Sequence, residues 1–367
     1  MRVLFLTNIP TPYRVDFFND LGKYCDLTVL FERKNADDRE KNWTMNNSIN
    51  YKSHFLDGKK IGNDTALSFE IVKWIKRGMF DCYVIGGYST PTAMLAINML
   101  KLKKIPFFIN ADGGLIKKDS IFKKLLKTYL IKSAKWYLSS SENTAKYLEY
   151  YGAPKDNIFK YPFTSINKKE ILDRCVIQED KQNIKRSLGL TNDKIVVSIG
   201  QLIERKGFDN LIEAWSKIHT DACLCIIGSG NKKEQLEEKI QEKGLDNVRL
   251  IDFKKKQELF LYYKSADIFV LPTKEDIWGL VVNEAMACGL PIVSTVKCVA
   301  ALELVEENVN GFLTDVDDID NMASKIQWLL NNDAERQKFG EKSLEKITEF
   351  SIEKMAYEHF KIFENVK

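Results

Sequence analysis

Strand-like apolar runs alternate with helical patterns along the whole chain, and this alternation limits the fold more than any other feature. The first half predicts strands at 3–7, 27–31, 82–86, 106–110 and 136–139. After a polar linker at 168–188 that is predicted to be helical, the second half predicts strands at 195–200, 222–228, 248–251, 268–271, 291–294 and 311–314. Strands separated by helices form parallel sheets that helices cover on both faces. The sequence therefore predicts an α/β fold with two doubly wound, Rossmann-like domains facing across a cleft.

The length of 367 residues fits two domains of ordinary size. The linker divides the chain into a first domain at 1–164 and a second domain at 165–350. Because ligands of such sheets bind beyond the carboxyl ends of the strands, we expect functional residues in the loops that follow the strands.

The formal net charge of +4 is unevenly distributed. Residues 1–163 carry 26 Lys and Arg against 16 Asp and Glu, and the basic residues concentrate between 101 and 135. Apolar residues lie among these lysines at helical spacing over 116–131, which indicates either a membrane-surface helix or an ordinary solvated helix face. No nucleic-acid reading motif accompanies the charge, so we expect no nucleic-acid partner.

Other features of the sequence favour a cytoplasmic protein without a metal site. Seven scattered cysteines with no C-x-x-C motif fit buried thiols in a reducing compartment. The three histidines are widely spaced and lie away from the other polar motifs, so they offer no metal-ligand spacing. No apolar run is long enough for a spanning helix, and residues 1–7 are typical of a first strand instead of a signal peptide.

The acidic loop after the fourth strand of the second domain carries the most specific functional signal. Seven residues separate Asp276 from Glu284, and an apolar helix pattern begins between them. Carboxylates beside an apolar helix are costly unless they bind polar groups, and they accept hydrogen bonds from sugar hydroxyls. The backbone N–H groups of Trp278, Gly279 and Leu280 begin the helix without helical partners, which suits a diphosphate. The segment indicates a nucleotide-sugar site; a structural crossover helix with a capping acid is the alternative.

This segment resembles the signature of the retaining glycosyltransferases of family 4, which have the GT-B fold. The signature is Asp or Glu, any residue, Trp or Phe and Gly, followed by Glu-Ala-x-Ala-x-Gly-x-Pro, as at 276–291. The resemblance covers essentially the whole chain. It implies that Asp276, in place of the usual Glu, holds hydroxyls of the donor sugar and that Glu284 holds the ribose. It also implies that the C-terminal helix, at 351–367, packs back on the first domain.

A basic loop of the second domain fits the same donor site. The loop from Gly200 to Gly207 follows a strand, and Arg205 and Lys206 supply positive charge for a leaving diphosphate. Lys206 matches the family pattern, whereas Gln201 stands where the family usually has Arg. Surface charges that cap a helix are the alternative interpretation.

Two weaker signals lie on the same domain. The small residues that begin at Gly228 allow a nucleotide to approach the backbone closely. The resemblance places Phe253 where the family holds the base through main-chain contacts, and a plain structural role is the alternative. The small-residue sequence at 298–301 resembles a turn near the diphosphate.

In the first domain, Asp112 stands where many members of the family carry a His that contacts the donor sugar. The position is counted from Pro106, six residues earlier. Asp112 is predicted to accept a hydrogen bond from a sugar hydroxyl, to stabilise positive charge at the anomeric carbon or to orient the acceptor. An Asp that caps the turn before two glycines is the alternative.

We predict a retaining, metal-independent hexosyltransferase with Arg205, Lys206, Asp112 and Asp276 as its catalytic residues. The expected donor is a UDP-sugar, with no further cofactor, and the expected acceptor is a saccharide or a lipid-linked glycan. The resemblance implies cell-surface polysaccharide or capsule biosynthesis in the cytoplasm, with peripheral contact at the inner face of the membrane. Two alternatives stay open: a nucleotide-sugar epimerase of the same fold, and a catalytically silent nucleotide-sugar-binding subunit, which the departures at Asp276, Gln201 and Asp112 suggest.

Overall fold

The computed structural model describes residues 1–34, 48–61 and 65–366. Its contacts divide the chain into two units, Met1–Ser165 with Ser351–Lys367, and Ile166–Phe350. The last residue of the predicted C-terminal helix, 367, lies outside the described residues.

The first unit is built on a parallel sheet with strand order β3-β2-β1-β6-β7-β8-β9 in its described part. The strands of the unit are β1 (Arg2–Thr7), β2 (Asp26–Phe31), β3 (Lys52–Phe55), β4 (Lys59–Ile61), β5 (Thr65–Leu67), β6 (Cys82–Gly86), β7 (Phe108–Ala111), β8 (Trp136–Ser139) and β9 (Ile158–Lys160). β4 and β5 form a separate antiparallel pair. The interior strand β1 is buried from Val3 to Thr7, as expected of a strand covered on both faces.

Helices cover this sheet, and one of them comes from the end of the chain. They are α1 (Pro12–Leu21), α2 (Ile71–Trp74), α3 (Pro91–Leu102), α4 (Ile121–Ile131), α5 (Glu142–Tyr150) and α14 (Ile352–Asn365). α14 packs against α1, where the rings of Phe17 and His359 lie 4.7 Å apart. It also reaches the sheet, because Phe363 contacts Phe108 with ring centroids 5.2 Å apart.

The second unit contains a parallel sheet with strand order β12-β11-β10-β13-β14-β15. Its strands are β10 (Ile195–Ile199), β11 (Cys223–Ile227), β12 (Val248–Ile251), β13 (Ile268–Leu271), β14 (Ile292–Thr295) and β15 (Gly311–Thr314). The chain order reverses between β10 and β13, and the crevice beyond the carboxyl ends of such a strand pair is where doubly wound sheets bind ligands. The parallel sheets of both units confirm the predicted α/β fold.

The helices of the second unit are α6 (Gln178–Ser187), α7 (Phe208–Trp215), α8 (Lys233–Glu242), α9 (Lys256–Ser265), α10 (Leu280–Ala287), α11 (Val299–Leu304), α12 (Ile319–Asn331) and α13 (Asp333–Ile347). The prediction of a helical linker over 168–188 was wrong in its first half, where only the 3-10 turn Lys168–Glu170 forms. Lys181 and Lys185 of α6 form ion pairs with Asp267, with N–O distances of 2.9 and 3.3 Å, and these pairs hold the helix in place. The predicted turn at 298–301 instead begins α11, because its small residues are buried and pack as a helix.

Candidate functional site

Two loops meet beyond the carboxyl ends of β10 and β13. The carbonyl oxygen of Arg205 accepts hydrogen bonds from the backbone N–H of Lys274 at 2.9 Å and from Thr273 Oγ1 at 3.0 Å. Gly207 makes this approach possible, because a Cβ atom at this position would lie 2.2 Å from the carbonyl oxygen of Pro272. Its φ of +68° also favours glycine. The packing of the basic loop on the acidic loop thus explains the glycine at 207.

A cluster of charges, in which Lys206 and Asp276 are nearly buried, joins the same two loops. The ammonium group of Lys206 donates a hydrogen bond to Asp276 Oδ2, and both side chains are 10% exposed. Arg205 Nη1 lies 3.8 Å from the other carboxylate oxygen of Asp276 and donates to the carbonyl oxygen of Glu275 at 3.1 Å. The structure therefore brings together three of the four predicted catalytic residues, and Lys206 is held as a fixed positive group.

A third loop, after β14, fixes the start of α10 beside this cluster. The N–H of Asp276 donates to the carbonyl oxygen of Lys297 at 2.9 Å, and the N–H of Ala300 donates to that of Trp278 at 2.8 Å. The Trp278 side chain is buried, and its Nε1 donates to Asn283 Oδ1 at 2.8 Å. Gly279 precedes α10 with a φ of +101°, and a Cβ atom placed on it would be 3.6 Å from Asp276 Oδ2. The predicted anion-binding helix start thus lies directly against the charge cluster.

Glu284 lies one helical turn beyond Leu280, and it accepts a hydrogen bond from a residue outside the charge cluster. Its Oε2 accepts a hydrogen bond of 3.0 Å from the hydroxyl group of Tyr263 in α9. Burial, and then the neighbouring carboxylate, raise the pKa of Tyr263 well above its ordinary value, so its hydroxyl stays protonated and donates. Sequence reasoning missed Tyr263, since a Tyr on the apolar face of a helix carries no signal of its own.

The remaining predicted donor-site residues occupy neighbouring loops of the same sheet. Gly228 follows β11 and packs against Gly200, whose carbonyl oxygen would lie 1.9 Å from a Cβ atom at 228. This close packing accounts for glycine at 228 without a ligand. Phe253 follows the edge strand β12 and is 41% exposed. The roles of Gly200, Gly228 and Phe253 in holding a nucleotide stay predictions.

Asp112, in the first unit, is held by a polar network at the end of β7. Its Oδ2 accepts a hydrogen bond from Arg14, a buried residue of α1. Its Oδ1 accepts hydrogen bonds from the Asn110 amide at 2.7 Å and the Tyr161 hydroxyl at 2.9 Å. Burial lowers the pKa of the Arg14 guanidinium, but Asp112 and nearby tyrosines outweigh it, so the pKa is raised. Asp112 is therefore the counter-ion of a buried cation, a role that the motif comparison did not reveal.

The expectation that every histidine lies away from the motifs was wrong for His359. This side chain, on α14, is 1% exposed and lines one small cavity with Asp112, Arg14 and Tyr161. Its Nε2 lies 3.3 Å from Asn110 Oδ1, and its Nδ1 lies 2.8 Å from the carbonyl oxygen of Met355. Burial lowers the pKa of His359 to about 4, so the ring is neutral at pH 7. His359 and Asn110 are 249 positions apart in the sequence, so the sequence did not reveal this contact.

Replacing Asp112 with alanine is expected to destabilise the first unit by about 2 kcal/mol, because Arg14 would remain buried without its carboxylate. Removing both charges in Arg14→Met/Asp112→Leu should restore most of this stability. Urea unfolding of both variants measures the difference, and equal losses in both would show that the ion pair is not the cause.

The same two variants separate structure from catalysis at Asp112. If this carboxylate contacts a donor sugar, the double variant regains stability without regaining transfer activity. If it serves only as the partner of Arg14, stability and activity return together, and the catalytic prediction fails.

Comparisons with known proteins agree with this fold. The model of the group 1 glycosyl transferases matches residues 180–346. The amylovoran biosynthesis glycosyltransferase AmsK of Erwinia amylovora is 34% identical over 364 residues, 88% of this chain and 87% of that protein. An uncharacterised glycosyltransferase of Haemophilus influenzae is 35% identical over 178 residues, 47% of this chain and 50% of that protein. The crystal structure of Anabaena HepE in complex with UDP covers 100% of this chain and 98% of its own, with a TM-score of 0.77 and 17% identity.

The chain belongs to the group 1 glycosyltransferases, since it aligns with AmsK over most of both sequences. Its fold is of the GT-B class, with two Rossmann-like units. Both statements confirm what the sequence motif predicted. The chain spans half to two thirds of the length of several curated relatives, the Haemophilus protein among them.

The described residues contain no candidate for a membrane-spanning helix or a metal site. No helix in the ranges 1–34, 48–61 and 65–366 is long and apolar enough to cross a membrane. In the same ranges, no group of three or more His, Cys, Asp or Glu side chains is placed to hold a metal ion. Metal independence stays a prediction, which the cationic groups of the charge cluster motivate.

Proposed function

We propose that this chain is a retaining glycosyltransferase that moves a hexose or N-acetylhexosamine from a nucleotide diphosphate sugar to a saccharide or lipid-linked acceptor. The observation that carries the proposal is the contact of Lys206 with Asp276 beside the start of α10. It combines a fixed cation, a carboxylate and a helix N-terminus at the switch point of a doubly wound sheet. These groups are the ones that a sugar linked to a diphosphate requires.

In the proposed reaction, the bond between the anomeric carbon and the diphosphate oxygen breaks, and the acceptor oxygen bonds to the anomeric carbon on the same face. Negative charge collects on the departing diphosphate. Lys206, Arg205 and the N–H groups at the start of α10 stabilise that charge without the help of a metal ion. Asp276 orients the donor sugar through its hydroxyls. The proton of the acceptor hydroxyl passes to the donor phosphate, so the mechanism needs no separate general base.

The donor is proposed to be a UDP-sugar, because Anabaena HepE, which shares the fold, was crystallised with UDP and with UDP-glucose. The pathway is proposed to be cell-surface polysaccharide or capsule biosynthesis, because the relative AmsK is named as a glycosyltransferase of amylovoran biosynthesis. A cytoplasmic site of action, at the inner face of the membrane, belongs to the same proposal. It agrees with seven free thiols in the chain.

A thermal-shift screen followed by a nucleotide-release assay tests the proposal. UDP-sugars are expected to raise the melting temperature more than GDP-, ADP- or dTDP-sugars, since a ligand that binds only the folded state stabilises it. Release of UDP should then rise when lipid-linked or saccharide acceptors are added, and NMR of the product should show the anomeric configuration of the donor. Tight binding without release would favour the silent subunit, and release of UDP or an epimerised donor without any need for acceptor would favour the epimerase.

A further inference from the structure

The outward face of α4 in the first unit is apolar. Ile121, Phe122 and Leu125 are 70%, 81% and 61% exposed, and Leu126 and Tyr129 are 47% and 44% exposed. These five side chains, here called the α4 face, form one continuous patch on a helix of 11 residues. A patch of large apolar side chains in contact with water usually marks an interaction surface.

The α4 face is distinct from the side of the helix that packs in the core. Leu130 and Ile131 are buried and belong to the core cluster of the unit. With about 100° between successive residues, the five exposed positions span about 140°, centred about 160° away from these two buried residues. The helix is therefore apolar on two opposite sides, and folding of this unit uses only one of them.

Lysines surround the α4 face. Residues 101–135 contain ten lysines and two aspartates, a net charge of +8. The exposed lysines in this range are Lys101, Lys104, Lys117, Lys118, Lys123, Lys124, Lys132 and Lys135. Asp119, whose side chain is 4% exposed, pairs with Lys127 at 2.7 Å and with Lys123 at 3.6 Å, so it offsets only part of this charge. The patch therefore presents positive charge around an apolar centre.

Two aromatic contacts hold this arrangement in place. The ammonium group of Lys101 lies 4.0 Å from the ring centroid of Tyr129, and that of Lys124 lies 4.5 Å from the ring centroid of Tyr150. Tyr129 also donates a hydrogen bond of 2.7 Å to Asn98 in α3. Tyrosine with one apolar side and one polar tip is the residue type enriched at the boundary between lipid headgroups and acyl chains.

We propose that the α4 face docks onto a bilayer that contains anionic phospholipids. Phe122, Leu125 and their neighbours enter the boundary below the headgroups, while the surrounding lysines pair with lipid phosphates. The inference rests on the proposed function only for its purpose, which is to hold the transferase beside a lipid-linked acceptor. Vesicle binding itself needs neither donor nor acceptor.

Sedimentation of the full chain with vesicles tests the docking surface. The wild-type chain is expected to bind vesicles of phosphatidylcholine with phosphatidylglycerol at least about tenfold more tightly than vesicles of phosphatidylcholine alone, and added salt should weaken this binding. Phe122→Ser/Leu125→Ser and, separately, Lys123→Glu/Lys124→Glu should each lower binding about tenfold. All four residues are exposed, so folding should persist.

Matched variants control for general surface effects. Phe69→Ser removes an aromatic ring that is 71% exposed in the same unit, and Lys338→Glu/Lys342→Glu reverses two charges on α13; both should bind vesicles like the wild type. The proposal is overturned if the wild type ignores anionic vesicles, if the α4 variants bind them unchanged, or if light scattering shows that the α4 face instead joins two copies of the chain. A thermal shift of the wild-type chain with UDP-, GDP-, ADP- and dTDP-sugars separates this result from the proposed function: no shift with any of them, together with intact vesicle binding, contradicts the transferase and not the docking surface.

Discussion

Replacing Lys206 with methionine is expected to lower the turnover number of donor cleavage about 100-fold, with a much smaller change in donor affinity. The reason is that Lys206 is a nearly buried cation held by Asp276, so it is already placed where charge develops on the leaving diphosphate. Methionine keeps the apolar part of the side chain and removes only the charge. UDP release at saturating donor measures the turnover number, and titration with UDP measures the affinity.

The variant Lys274→Met is the matched control for this experiment. Lys274 lies on the acidic loop, but it pairs with Glu204 and Asp209 instead of Asp276. Its removal should leave turnover within about twofold of the wild type, as is usual for surface ion pairs. Because Lys206→Met removes the cation that pairs with the nearly buried Asp276 and leaves Arg205 3.8 Å away, urea unfolding must show that the variant is still folded. Equal losses of turnover and affinity would contradict a specific role in the transition state.

Replacing Glu284 with glutamine is expected to weaken UDP binding about 100-fold while the chain remains folded. The carboxylate accepts a hydrogen bond from Tyr263, and the family pattern assigns it the hydroxyls of the ribose. Glutamine has the same shape, but its NH₂ group donates and it carries no charge. Isothermal titration with UDP gives the dissociation constant directly.

Two further variants identify the origin of this effect. Tyr263→Phe keeps the Glu284 carboxylate and removes only the hydroxyl that holds it, so we expect a loss of about tenfold in UDP affinity. Glu238→Gln, on the exposed side of α8, should bind UDP like the wild type. If Glu284→Gln also bound UDP like the wild type, Glu284 would have no part in the ribose site.

The fold was largely predictable because both sheets are parallel and buried. Such strands appear as short apolar runs, and β12, β13 and β15 begin and end where the sequence predicted. The pattern failed at β3 and β9, which contain polar or charged residues such as Lys52 and Lys160 and lie at the two edges of their sheet. Edge strands need fewer apolar residues, so periodicity did not reveal them.

The site residues were predictable where a short sequence motif contains them. Lys206, Asp276 and Gly279 were identified from their motifs, and strand order then brings their loops together. The sequence did not reveal that Lys206 and Asp276 pair with each other, because 70 residues separate them. Pairing of this kind depends on which strands are neighbours, and one sequence does not state that.

The environment of Asp112 was not predictable for the same reason. Arg14, Tyr161 and His359 come from the start, the middle and the end of the chain, and only the folded unit places them around one carboxylate and its neighbour Asn110. The motif comparison identified a substituted position. It gave no indication of the buried cation that this position must neutralise.

The most direct test of the account is a crystal structure of the chain with UDP. We expect the diphosphate to lie within about 3 Å of Lys206 Nζ and of the backbone N–H groups at the start of α10, with a ribose hydroxyl donating to Glu284. A UDP molecule bound elsewhere, or one whose diphosphate touches neither Lys206 nor the residues at 279–280, would contradict it.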